Sequence, residues 1–326
     1  MRRVRIAVAH FKYPESPADR TRWILERRGE KGTVDPRRPY SFLFEQERGP
    51  DREMWPTATI FLTNKECPWR CLMCDLWKNT TDAAVEIGAI PAQIRAALAQ
   101  MPKARQIKLY NSGSFFDEQA VPKEDWRAIA EIAQSFERVI VECHPALIGD
   151  EVAEFAQMLG GRLEVAMGLE TAHPEVLQKL NKRMTLGMFE GAAGALREMG
   201  VDLRVFVLVK PPFMDDETAG RWGKRSIDFA IERGAGVVSV IPTRAGNGAV
   251  DELARQGEFA EPNLELLEDV VDYGVGFGRA RVFADLWDLR RFSKCPKCFE
   301  ARQERLHRMN CTQRVNGRVE CECKGR

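Results

Sequence analysis

Three cysteines, Cys67, Cys71 and Cys74, stand in the stretch Asn64-Lys65-Glu66-Cys67-Pro68-Trp69-Arg70-Cys71-Leu72-Met73-Cys74. Thiols at C-x3-C-x2-C spacing are too close to tie distant parts of a fold together, but they can cap one face of a single inorganic centre. A cubane four-iron cluster takes four ligands, usually cysteine thiolates, so three from the protein leave one iron open. The competing reading is a structural zinc knuckle with one further ligand. Zinc sites prefer pairs of short chelates. Here the trio follows the apolar run Thr57-Ala58-Thr59-Ile60-Phe61-Leu62, which reads as a buried strand. Three ligands in the loop leaving a strand suit the open cluster better.

Around that loop the chain divides into three. Residues 1–54 form an extension broken by Pro36, Pro39 and Gly49-Pro50, expected outside the main domain or over its mouth. Residues 55–289 alternate short apolar runs with amphipathic windows, the rhythm of β–α units on a parallel sheet. Strands are expected near 57–62, 106–110, 139–142, 163–168, 203–209, 236–241 and 281–284. Helices are expected near 91–102, 123–136, 149–159, 187–199, 216–233 and 263–273. The class is therefore α/β, with six or seven parallel strands. In barrels of this kind the chemistry gathers at the carboxyl ends of the strands.

Residues 290–326 are a small Cys-rich tail. Cys295-Pro296-Lys297-Cys298 and Cys321-Glu322-Cys323 are two short chelates, with a helix expected near 299–309 between them and Cys311 left over. The arrangement reads as tetrahedral Zn2+, with a second Fe–S cluster as the alternative.

Charge is uneven under a net +1: residues 1–54 carry +4, residues 290–326 carry +7, and the middle carries −10. Basic ends suit a polyanionic partner and equally suit ordinary solvated surface. No apolar run reaches the ~20 residues of a membrane span. Met1–His10 lacks a signal-peptide core and reads as mature chain. Nine cysteines, three of them in a cluster motif, point to a reducing, cytoplasmic setting.

A cysteine trio closing the first strand of a βα series resembles the signature of the radical S-adenosylmethionine (SAM) superfamily. The resemblance implies a partial (β/α)6 barrel and a [4Fe-4S] cluster on Cys67, Cys71 and Cys74. It implies SAM chelated at the open iron and a 5′-deoxyadenosyl radical that abstracts hydrogen from substrate. An electron donor such as ferredoxin or flavodoxin is implied as partner. Ser112-Gly113-Ser114 stands where the superfamily often has Gly-Gly-Glu to hold the SAM amino group, and Gly113 supplies the close backbone approach. Glu142 is placed for a ribose hydroxyl or the sulfonium. Beside it Cys143 is more often buried filler than a radical partner. Gly168-Leu169-Glu170-Thr171 resembles the Gly-φ-Glu/Gln-Ser/Thr element of the branch with the methylthiotransferases and the elongator acetyltransferase. Glu170 then meets the ribose, and Lys182 or Arg183 the SAM carboxylate. The forked guanidinium favours Arg183. Lys210, Arg244, Asp285 and Asp288, each after a strand, are the substrate candidates; no catalytic residue is assigned.

More narrowly, Tyr110–Asp117, Gly168–Thr171, Asn181-Lys182 and Lys210–Phe213 look like the archaeosine synthase radical SAM subunit and its bacterial relatives, across about residues 55–323. That likeness implies a modified base in tRNA as substrate. Two other readings stand beside it. One is a radical methyl- or sulfur-transferase with a second cluster. The other is a non-enzymatic zinc module that binds nucleic acid, against which the regular βα rhythm argues.

Overall fold

The computed structural model describes residues 12–323; the reading of Met1–His10 lies outside the described residues. The apolar runs become seven parallel strands: β2 (Met54–Phe61), β3 (Gln106–Tyr110), β4 (Arg138–Glu142), β5 (Leu163–Glu170), β6 (Asp202–Val209), β7 (Val237–Pro242) and β8 (Arg281–Ala284). They lie side by side in chain order, which a right-handed helical crossover after each strand produces. One strand was not expected. β1 (Ser41–Arg48), inside the N-terminal extension, pairs antiparallel with β2 from Ser41 opposite Phe61 to Arg48 opposite Met54. The sheet is a curled, eight-stranded partial barrel.

Alternation along each strand sorts the side chains. On β6, Leu203, Val205, Val207 and Val209 are buried in the main hydrophobic core. That core takes in residues of α2 (Ala89–Leu98), α3 (Trp126–Ala133), α4 (Asp150–Met158), α6 (Leu186–Glu198), α7 (Asp216–Glu232) and α9 (Leu264–Phe277). Side-chain caps start three of these helices: Thr185 accepts from Met188 N, Asp215 from Thr218 N and Asn263 from Leu266 N.

The opposite phase of the strands carries charge at the amino-terminal end. Arg204 of β6, only 2% exposed, bonds Glu164 Oε1 of β5 at 2.6 Å and Glu47 Oε1 of β1 at 2.7 Å. Lys108 of β3 reaches Glu47 Oε2 at 2.6 Å. Arg281, at the start of β8, donates to Arg48 O at 2.7 Å, so the two sheet edges meet at this end. The charged floor turns the usable space toward the carboxyl ends of the strands.

The remaining helices are α1 (Pro17–Leu25), α5 (Pro174–Lys179), α8 (Ala249–Arg255) and α10 (Phe299–Thr312). α1, α5 and α8 contribute to a smaller apolar cluster around Trp23, Leu72, Leu180 and Val250. α10 packs against both edge strands, β1 and β8. Among the described residues no helix is long and apolar enough to cross a membrane.

Candidate active site and metal centre

The cysteine loop leaves the carboxyl end of β2 and is clamped by its neighbours. Leu72 N donates to Leu180 O at 2.8 Å, and Asn181 Nδ2 to Arg70 O at 2.8 Å. Asn247 Nδ2 donates to Leu72 O at 2.7 Å and Cys74 O at 3.2 Å. From the N-terminal extension, Arg28 and Lys31 grip Glu66 at 2.6 and 2.8 Å. The loop is thus fixed through its backbone, leaving the three thiols uncommitted. Burial pushes the Cys67 thiol up to about 12, against the backbone N–H of Trp69. Cys71 and Cys74 are raised by the same cause. A cationic metal centre is what converts such thiols to thiolates.

Around the loop the other strand ends converge. After β3, a Cβ on Gly113 would stand 3.3 Å from Cys67 Cβ, so the glycine lets this loop lie against the cysteine. Glu142, ending β4, accepts from Asn111 N at 2.6 Å and Gly113 N at 3.3 Å. Burial pushes its carboxyl up to about 7, opposed by these backbone donors. Glu142 therefore holds the 111–113 backbone in place. At the end of β5, Glu170 Oε1 meets Lys182 Nζ at 2.6 Å, both buried. Gly168 makes room for the pair, since a Cβ there would overlap both partners. The His144 ring stacks on Trp69 with centroids 3.9 Å apart. His144 Nδ1 accepts from Ala146 N, so Nε2 carries the proton and donates to Lys182 O at 2.9 Å. Burial, with Lys182 nearby, pushes His144 down to about 4, keeping it neutral.

This mouth has unspent hydrogen-bonding capacity. Asn111 is fully buried, and neither its Nδ2 nor its Oδ1 has a partner among the described residues. Asn181 Oδ1, Asn64 Oδ1 and Thr63 Oγ1 are also unpartnered. Buried polar atoms in native proteins are nearly always satisfied by protein, water or ligand. Three free thiols beside five orphaned polar atoms fit a metal cluster carrying a polar cosubstrate.

The remaining residues singled out from sequence divide into two groups. Ser112 Oγ lies 3.3 Å from Tyr40 Oη, and Ser114 Oγ accepts from His144 N at 2.8 Å, so both belong to this mouth. Arg183 does not face it: the side chain is exposed and bonds Pro17 O at 2.9 Å and Thr21 Oγ1 at 3.2 Å. Its neighbour Lys182 points to the cysteines instead. Lys210 is buried against Asp216 at 2.5 Å. Arg244 and Asp285 pair with each other at 2.8 Å, while exposed Asp288 lies 3.5 Å from Arg291. Asn181 entered the sequence reading only as part of the Asn181-Lys182 likeness, and Asn247 not at all as a functional residue, yet both hold the loop. Gly246 and Gly248 flank Asn247, and the asparagine between them does the clamping.

In the tail, the ligand atoms of Cys295, Cys298, Cys321 and Cys323 all lie within 4.8 Å of one another. Cys295 and Cys321 are 3.9 Å apart, Cys298 and Cys323 3.6 Å. A tetrahedron of Zn–S bonds near 2.3 Å has edges of about 3.8 Å. A cubane cluster seats each ligand on a different iron and spreads them further. The backbone N–H of Cys298 pulls the Cys295 thiol down to about 6. Cys311 stands apart, 3.7 Å from His307 Nε2. No other group of three or more ligand-type side chains among the described residues converges this tightly.

A sequential parallel sheet with a C-x3-C-x2-C loop at the carboxyl end of its first parallel strand is the arrangement of the radical SAM enzymes, and the relatives that the chain resembles support assigning it to that superfamily. Within it, the chain is 26% identical to archaeosine synthase subunit beta of Methanosarcina acetivorans over 300 residues, covering 82% of this chain and 83% of that one. It is 32% identical to the subunit of the same name from Thermococcus kodakarensis over 166 residues, 48% of this chain and 51% of that one. The fold is similar to that of the archaeal Methanocaldococcus infernus Elp3, with a TM-score of 0.51 at 14% identity, covering 68% of this chain and 58% of that one. No protein-family model matches the chain.

Proposed function

We propose that the chain binds a [4Fe-4S] cluster through Cys67, Cys71 and Cys74 and cleaves SAM reductively, directing the radical at a modified base in tRNA. When bound and reduced by a low-potential donor of the ferredoxin or flavodoxin kind, the cluster supplies the electron that splits SAM to a 5′-deoxyadenosyl radical. The chain's own residues bind and orient. Gly113 brings the 112–114 backbone close to the cosubstrate amino group, and Glu142 fixes that backbone from below. Lys182, not Arg183, meets the SAM carboxylate, with Glu170 holding the ammonium in place and within reach of the ribose. Lys210, Arg244, Asp285 and Asp288 remain the substrate-side residues.

The observation that carries this reading is the backbone-clamped loop, which presents three free thiols at the carboxyl end of β2 beside orphaned asparagines. The tRNA substrate rests on the archaeosine synthase relatives and the basic tail. The tail cysteines, close enough for one tetrahedral ion, support a structural Zn2+ over the second cluster that a methyl- or sulfur-transferase reading needs.

Anaerobic reconstitution of wild type and the Cys67→Ala/Cys71→Ala/Cys74→Ala variant tests the proposal. The expected result is about four irons lost in the variant, together with dithionite-dependent 5′-deoxyadenosine formation in wild type alone, while zinc stays in both. Wild type that holds zinc alone and leaves SAM intact sinks it.

A further inference from the structure

Trp287 is 70% exposed, the highest value among the large apolar side chains of the described residues. It stands just past the carboxyl end of β8, on the face where the cysteine loop lies. Its backbone is held at both ends. Trp287 N donates to Asp285 Oδ1 at 2.9 Å, and its carbonyl accepts from Arg244 Nη2. Arg244 is three residues from Asn247, which clamps Leu72 and Cys74. The indole is therefore an exposed ring on a fixed base, held by the same post-β7 segment that clamps the cysteine loop.

In the segment that follows it, residues 288–297, the unpaired charge is all positive. Asp285 is taken by Arg244 and Asp288 by Arg291. Exposed Arg290, Lys294 and Lys297 have no carboxylate partner among the described residues. Arg290 instead lies over the Phe299 ring, its centroid 4.7 Å from the guanidinium carbon. An exposed aromatic face followed within ten residues of chain by exposed, unpaired cations is the chemistry that takes unpaired nucleotides: base on ring, phosphates on cations.

We propose that Trp287, with Arg290, Lys294 and Lys297, is a stacking platform for an unpaired base of the RNA strand whose reacting base enters the mouth. This rests on the nucleic-acid reading above and adds where the strand is held.

The test is fluorescence anisotropy of labelled tRNA transcript with the reconstituted enzyme at several salt concentrations. Trp287→Ala is expected to weaken binding roughly tenfold, while Trp287→Phe keeps most of it. Trp287→Ala should leave the salt dependence intact. Arg290→Gln/Lys294→Gln should flatten it, by roughly 0.7 in log affinity per log salt for each phosphate no longer neutralised. Dithionite-driven SAM cleavage without RNA should match wild type in every variant, which shows a folded site. Wild-type binding of tRNA that is indifferent to Trp287→Ala overturns the platform and leaves the tRNA reading standing. A wild type that binds no tRNA overturns both. Sedimentation in which Trp287→Ala turns a dimer into a monomer assigns the ring to a second copy of the chain, and the platform falls.

Discussion

At the scale of single residues, the site turns on two neighbours that face opposite ways. Asn181 and Arg183 both adopt left-handed backbone, φ 55° and 59°, and between them Lys182 is turned inward while Arg183 reaches out to α1. Lys182→Met strands the buried Glu170 carboxylate, at a cost of about 3–5 kcal/mol. The variant Lys182→Met/Glu170→Gln should recover most of that stability yet bind SAM weakly; Arg183→Met should leave affinity unchanged. Chemical denaturation and SAM titration of the reconstituted proteins separate the two effects. Recovery of SAM binding in the double variant removes Lys182 from the proposed role. The preference for Arg183 from guanidinium shape was sound chemistry, but spacing does not encode direction in a left-handed loop. Asn247 was hidden for a related reason, since its contribution is a bond to a segment some 173 residues away.

At the scale of elements, sequence patterning goes furthest. Each of the seven parallel strands lies where an apolar run stood, because burial against the helical layer demands alternation or a full apolar run. β1 was missed because Ser41-Phe42-Leu43-Phe44-Glu45-Gln46-Glu47-Arg48 carries a charged half amid turn-forming residues. Glu47 belongs inside only because Arg204 and Lys108, distant in sequence, wait for it there. The far edge is closed differently. Asn310 of α10 exchanges two hydrogen bonds with Ala284, at 2.8 and 2.9 Å, and Gln313 does the same for Val282, at 2.7 and 3.0 Å. Side-chain amides thus satisfy the open edge of β8, which otherwise invites another strand. Asn310→Ala should cost about 1–3 kcal/mol and speed amide exchange at Ala284. Cys298 stands at the start of this helix. If the tail cysteines hold the proposed Zn2+, stripping it with a chelator should therefore speed exchange at Val282 and Ala284 as well. Exchange mass spectrometry reads both, and protection unchanged after metal loss uncouples the tail from the sheet.

For the whole molecule, the buried charges at the floor set the response to acid. Burial raises Glu47 and Glu164, but Arg204 with Lys108, and Arg204 with Arg138, outweigh it, and both carboxyls end below their ordinary value of 4.5. A depressed folded-state value means stability present above pH 4.5 and lost as pH falls below it. Urea unfolding between pH 3 and pH 7 should show that loss in wild type. Arg204→Met should be weaker at pH 7 and lose less on acidification; an equal loss would clear the network of this role. The same floor has a temporal consequence. Every parallel strand after β2 pairs with the one made just before it, so the sheet can grow in register while the chain is still being synthesised. Arg48 cannot be met by Arg281, nor the β8 edge by Asn310 and Gln313, until the stretch from β8 onward has left the ribosome. A nascent chain stalled before that point carries a completed cysteine loop on a sheet with a bare edge. Translation of that stretch is the step that covers the bare edge and turns a sticky intermediate into a closed sheet.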